Sequence, residues 1–222
     1  WEEKRLCAGS VGPATGEMGT TMVLTHSSKI ADQVLKPFED RLVAMGYVGN
    51  VDVNCIVDED GTPWPLEWTM RLGWPAFNIE CALHSDPVEF LAGLAAGSPP
   101  KTRRINEIAI GVVMPIPPYP YSHAKTEEII GVPIWGIAPS IEDRIHLAQA
   151  MMDKGQLATA GDYPLICTGT GETVRKARDA VYRVVHRVEM PVSPPYRVDI
   201  GQRLSRDLPK LQEHGFARGV EY

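Results

Sequence analysis

The chain has 222 residues, with 22 Lys and Arg against 28 Asp and Glu, a formal net charge of −6, and 44% hydrophobic content. That balance describes a globular chain able to bury a core, of one large domain or two small ones. It argues against a broad nucleic-acid-binding face, which needs clustered Lys and Arg. The densest basic stretch, 101–104, follows Ser98-Pro99-Pro100 and reads as a solvated linker. No apolar run approaches the ~20 residues that span a bilayer, and the start at Trp1 carries no signal peptide. The expectation is a cytoplasmic protein that is either processed or preceded by a further segment. Cysteines at 7, 55, 81 and 167 are scattered, with no CxxC pair, and read as reduced thiols.

In chain order, residues 1–28 are rich in Gly, Thr and Ser and carry GPATGEMGT (12–20), expected as a loop. A helix is predicted over Ala31 to Met45 from the spacing of Ile30, Val34, Leu35, Phe38, Leu42 and Met45, with Gly46 as its stop. Val51 to Val57 and Trp64 to Trp68 read as the two strands of a hairpin around the turn Asp58-Glu59-Asp60-Gly61. Residues 86–97 read as a short helix, capped by Asp86, opened by Pro87 and ended by Gly97.

A composition break over 98–104 suggests a boundary between units 1–100 and 106–206, with 207–222 a polar tail that frays. Ile108 to Met114 reads as a strand, followed by the loop IPPYPYSH (116–123). Ser140 to Met152 reads as a helix with Ser140 as N-cap, and Leu165 to Thr168 as a brief strand. Thr173 to Val188 is a helix with Val174, Ala177, Val181, Val184, Val185 and Val188 on one face. No internal repeat is evident. The fold class is α+β.

Three elements can carry chemistry. On the return strand, Glu67 shares a face with Thr69 and Arg71, while Asp52 and Asn54 share a face of the first strand. Such oxygens suit Mg²⁺ bound alongside nucleotide phosphates, with Arg71 offsetting phosphoryl charge; the same pattern also describes a solvent-exposed sheet face with a cross-strand ion pair. The glycine run suits backbone amides approaching an anion, or a plain surface turn; it is neither a P-loop nor a dinucleotide fingerprint. YRVDIGQR (196–203) offers either an arginine clamp for phosphate or carboxylate, or a structural Arg–Asp pair. The six histidines show no metal spacing.

In this order the three elements resemble the later half of the phosphoribosylamine–glycine ligase family, ATP-grasp enzymes of purine synthesis. The family's GPNTGGMGAY after a basic HKR is matched by Lys4-Arg5 and GPATGEMGTT, and its DGPKVIEFNxRFGDPE by DGTPWPLEWTMRLGWPA (60–76). Its Gly-Tyr-Pro loop, TxGGRVLxVTxxGxTxxxAxxxAY and RxDIGxR are matched by YPYSH (119–123), TAGDYPLICTGTGETVRKARDAVY (159–182) and RVDIGQR (197–203). The resemblance covers about residues 3–206.

It implies an ATP-grasp carboxyl-terminal lobe, an antiparallel sheet with helices, followed by a small α/β domain. It also implies ATP and Mg²⁺ (or Mn²⁺) as cofactors, with glycine or another carboxylate and an amine as small-molecule substrates. The missing amino-terminal half of the same enzyme would supply the first lobe. Glu67 would be the metal ligand, with Thr69 and Asn54 beside it, and Arg71 would face the phosphate. Gly12, Pro13, Thr15, Gly16 and Gly19 would form a loop over the site, and Arg197, Asp199 and Gly201 would lie near substrate. Three departures stand out: Thr69 replaces the family's ligand Asn, GDPE is Gly73-Trp74-Pro75-Ala76, and the GGR whose arginine would meet a ribose phosphate is Gly161-Asp162-Tyr163. These keep open a ligase acting on a different amine, or a non-catalytic binding module.

Overall fold

The computed structural model describes residues 1–98, 107–121, 128–192 and 194–222. The basic stretch 101–104, most of the 98–104 break, and Ser122 and His123 of the Pro/Tyr-rich loop lie outside the described residues. Among those described, no helix is long and apolar enough to cross a membrane.

The centre is a five-stranded sheet of order β1-β2-β5-β9-β6, antiparallel throughout. Its strands are β1 (Glu2–Cys7), β2 (Val11–Val23), β5 (Ile108–Met114), β9 (Leu165–Gly171) and β6 (Ile145–Leu147). Because β2 pairs with β5, strands from either side of the 98–104 break share one sheet. Two ribbons stand apart from it: β3 (Asp52–Val57) with β4 (Pro63–Thr69), and β7 (Ala150–Asp153) with β8 (Gln156–Thr159).

Strand β5 explains the sheet. Its sequence IAIGVVM is apolar without alternation, and all seven residues are buried, because both faces are covered. Ile108, Ile110, Val112 and Met114 join Leu165, Cys167 and the apolar stripe of α5 (Val174–Val185), with Leu204 and Leu208 of α6 (Leu204–Glu213). On the opposite face Ala109 meets Ile79 and Leu83, at α3 (Ala76–Cys81), and Val113 and Ile166 meet Tyr163. Gly169 lets α5 sit against β9, since a Cβ there would lie 2.3 Å from the backbone nitrogen of Val181.

The β3–β4 hairpin, the β5 strand and α5 stand where the sequence places them, as does α4 (Pro87–Ala95), whose N-cap Asp86 accepts from the backbone N–H of Val88 and Glu89. Four expectations are corrected. The helix over 31–45 breaks into α1 (Lys29–Val34), a 3₁₀ turn at Lys36–Phe38 and α2 (Glu39–Ala44), because Pro37 lacks the N–H an unbroken helix needs. The helix over 140–152 is a single turn at Glu142–Arg144 followed by β6 and β7. Its start signals cover one turn only, and Lys154 (φ 48°) and Gly155 (φ 82°) form the tight turn that folds β7 onto β8.

The glycine run is not a free loop but part of β2. Nor does the tail fray: α6 buries Leu204 and Leu208, four residues apart, and Phe216 and Val220 are buried behind it. Its exposed polar face had masked that stripe.

Candidate active site

On the β3–β4 ribbon, Asp52 faces Thr69 and Asn54 faces Glu67 across the register. Directly opposed residues project to the same side, so these four oxygen-bearing side chains form one patch. Beyond β4 the exposed Arg71 is held through its backbone: Asn50 Nδ2 donates to its carbonyl (3.0 Å), and Tyr47 donates to Asn50 O (2.7 Å). Burial lifts the Asp52 carboxyl above its ordinary range, Glu2 adds to the lift, and Arg71 and Lys4 oppose it.

The facing wall is β1. Its alternation sends Glu2 and Lys4 to one side, ion-paired at 3.0 Å, and Glu3 to the other. Burial works against the Lys4 ammonium, but Glu2, helped by the charges of Glu17 and Glu67, raises its pKa. An open cleft of about 1950 Å³ runs past β1, β3 and the carboxyl-terminal end of α6; Glu2, Lys4, Asp52, Asn54 and Gly73 line it, whereas Glu67, Thr69 and Arg71 do not. Glu67 is exposed yet within electrostatic reach of Lys4.

The glycine-run residues separate. Opposite β1, Arg5 pairs with Ala14 but Glu3 with Gly19, so residues 15–18 bulge out against Lys4. The Thr15 hydroxyl donates to Lys4 O at 2.7 Å, and Gly16 is exposed. Gly12 accepts from Arg5 Nη1 (3.0 Å), with Pro13 beside it, towards the far end of the β1–β2 hairpin. Gly19 serves packing: a Cβ there would lie 2.5 Å from Gly111 O.

Glu17, within the bulge, is buried and accepts from the Thr20 hydroxyl. Burial pushes its carboxyl up to about 7, with Glu2 adding and Thr20 opposing.

The RVDIGQR segment faces no open site. Arg197 is 1% exposed, bidentate to Asp199 (2.8 Å to each oxygen), and also reaches Glu3 (3.2 Å) and Arg5 O (3.1 Å). Asp199 accepts from Gly9 N–H (2.8 Å), and Gly201 is a positive-φ turn (77°) packed on Ile110. Of the two readings left open by the sequence, the structural pair is the one this geometry supports: the guanidinium is fully engaged in tying the chain's end to β1. Sequence reasoning missed Glu2, Lys4 and Glu17 as parts of the site. The alternating charges of EEKR were the available signal for the first two; nothing local marked the bulge.

A β-ribbon bearing a carboxylate over a cleft, set beside an antiparallel sheet, is the arrangement of an ATP-grasp second lobe with the domain that follows it. Residues 109–203 match the family model "Phosphoribosylglycinamide synthetase, C domain". The chain is 29% identical over 217 residues to phosphoribosylamine–glycine ligase of Ralstonia nicotianae, covering 92% of this chain and 50% of that protein. To the Rhizobium meliloti protein of the same name it is 30% identical over 212 residues, covering 91% and 49%. Among solved structures, phosphoribosylamine–glycine ligase from Thermotoga maritima superposes with a TM-score of 0.72 at 27% identity, over 90% of this chain and 50% of that one. The biotin carboxylase subunit of pyruvate carboxylase shares the fold alone, with a TM-score of 0.53 at 13% identity. The chain is a relative of the carboxyl-terminal half of the phosphoribosylamine–glycine ligases, and it spans about half the length of the curated relatives it matches.

Proposed function

We propose that this chain forms the acid-activating half of an ATP-dependent carboxylate–amine ligase, joining glycine to phosphoribosylamine as its relatives' name describes. One observation carries the reading: the ribbon register sets Glu67, Asn54, Thr69 and Asp52 on one patch, with Arg71 at its end and Lys4 opposite. Among the described residues no group of three His, Cys, Asp or Glu is placed to hold a metal. The donor set is instead one carboxylate, one carboxamide and one hydroxyl. These are hard oxygens of the kind Mg²⁺ takes when phosphates and water complete its shell, so the residues fit the ion. Glu67, Asn54 and Thr69 would hold it, and when bound it would offset nucleotide phosphate charge.

The overall chemistry transfers the γ-phosphoryl of ATP to the acid's carboxylate, releasing ADP. The amine nitrogen then attacks the acyl carbon, and phosphate leaves with the C–O electron pair. Arg71 supplies a guanidinium for the phosphoryl oxygens and Lys4 a second cation. In the natural protein that carries these residues, Glu67→Gln should abolish Mg²⁺-dependent ADP release while circular dichroism stays unchanged. Near-normal turnover would refute the assignment. Thr69→Asn, restoring the family's carboxamide, should tighten the apparent Mg²⁺ affinity.

A second reading keeps the chemistry and changes the amine. It is favoured by Trp74 packed on Tyr163, at the positions where the family motifs carry Asp and Arg.

A further inference from the structure

Strand β3 meets the open cleft along its edge rather than on one face. Side chains of a strand alternate between its two faces, so a surface touching one face is lined by every second residue. Here every residue of β3 lines the cleft, within an unbroken run from Asn50 to Glu59, while β4 contributes Leu66 alone. Strand β1 shows the same signature, with Glu2, Glu3, Lys4 and Arg5 all in the lining. Both are outermost strands: among the described residues β3 pairs with β4 and β1 with β2, each on one side only. The two edges lie near enough for the Glu2 charge to act on Asp52 and Cys55.

An open edge carries a row of N–H and C=O groups that a further strand can pair. Along β1 that row is partly taken, since Arg5 O accepts from Arg197 (3.1 Å) and Glu2 O from Arg203 (3.4 Å). The β3 edge is the better seat for a newcomer.

Beside it the floor of the cleft is apolar and only half covered. Ile79, Leu83 and Ala109 are fully buried; Met22 and Leu24 pack on them yet stay partly exposed in the lining, and Phe77 lines the cleft as well. An apolar floor next to an open strand edge suits an extended segment with apolar residues at every second position. A second copy is a poor occupant. Pairing β3 with its own counterpart would bring Asp52, Asp58 and Glu59 of two chains together, in a protein of net charge −6. The curated relatives supply the better source: each is about twice as long as the stretch this chain matches, and the matched family model is that of a C domain.

We propose that the cleft receives a β-strand from the part of the natural protein that precedes these residues. The strand pairs with the edge of β3 and sets alternate apolar side chains on Met22, Leu24 and Phe77. It thereby fixes the ribbon beside β1, which carries Lys4. The proposal needs only the open edge and the apolar floor, so it stands or falls apart from the ligase reading.

Residue-resolved hydrogen exchange tests it by comparing the 222-residue chain with the natural protein that carries it. Alternate β3 amides, those that β4 leaves free, should exchange at least about a hundredfold more slowly in the natural protein. Leu24→Asp, which puts a charge on the floor, should remove that added protection while the β5 amides stay protected and so report an intact sheet. Equal β3 exchange in the two proteins, or added protection that survives Leu24→Asp, overturns the proposal. Protection that grows in the 222-residue chain with its own concentration assigns the cleft to a second copy and overturns it equally.

Discussion

Strands β5 and β9 of the central sheet and the two strands of the β3–β4 ribbon are of similar length but serve opposite purposes. Every residue of β5 is buried, and β9 has only Thr170 partly exposed. In β4 no residue is buried, and Trp64 and Leu66 are 57% and 64% exposed. A strand covered on both faces contributes hydrophobic stability and has no surface left for chemistry; a ribbon that is half-buried along β3 and exposed along β4 can present oxygens and cations to a ligand. Stability therefore resides in the sheet with α5 and α6, and the candidate chemistry in the ribbon and the exposed side of β1.

The sharpest test of this division lies beneath β1, the sheet strand whose other side faces the cleft. Arg197→Ala would remove the buried guanidinium that Glu3 and Asp199 share, leaving Glu3 with Arg203 and Asp199 with the Gly9 N–H, and should cost about 3 kcal/mol in denaturant unfolding. A loss under about 1 kcal/mol would mean that this buried pair does not hold the 197–199 segment to β1. Ile166→Ala, within the sheet, should cost about 3 kcal/mol by leaving a cavity between β9 and Tyr163.

Glu17 gives an intermediate effect with a defined sign. Its carboxyl titrates near 7 when folded against an ordinary 4.5, so the native state holds the extra proton between those values. Its stabilising contribution is full below about pH 4.5 and is lost as pH rises through about 7, on the order of 2–3 kcal/mol. Glu2, Lys4, Tyr163 and the Trp1 amine face the same group. Glu17→Gln should flatten that part of the stability–pH curve, and an unchanged slope would contradict the burial argument. The smallest effect belongs to the ribbon: Leu66→Ser should shift stability by no more than about 0.5 kcal/mol.

Local chemistry made part of the molecule legible beforehand. Asp58-Glu59-Asp60-Gly61 between two β-rich runs marked the ribbon, Asp86-Pro87 marked α4, and the valine stripe marked α5. Alternation along each strand also set Glu67 with Thr69 and Asp52 with Asn54, and the cross-strand register then puts the two pairs on one side. Where the reading failed, a local signal was outweighed by a distant partner. Three glycines suggested a loop, but β1 pairs with Ala14, Gly19 and Thr20, and β5 takes Gly19 and Thr20 on the other side, so the run becomes part of an interior strand. Ser140, Glu142 and Asp143 suggested a helix start, but β9 captures the next residues as β6.

By itself the sequence determined the elements whose patterns repeat within a few residues, together with the likeness of its ordered motifs to a ligase family. Tertiary structure alone decided that Arg197 is a buried tie, that Glu2 and Lys4 face the ribbon, and that Trp74 packs on Tyr163. The reason is range. Turn, cap and strand propensities act over a handful of neighbours, whereas an ion pair or a ring stack joins residues whose separation along the chain carries no sign of their meeting.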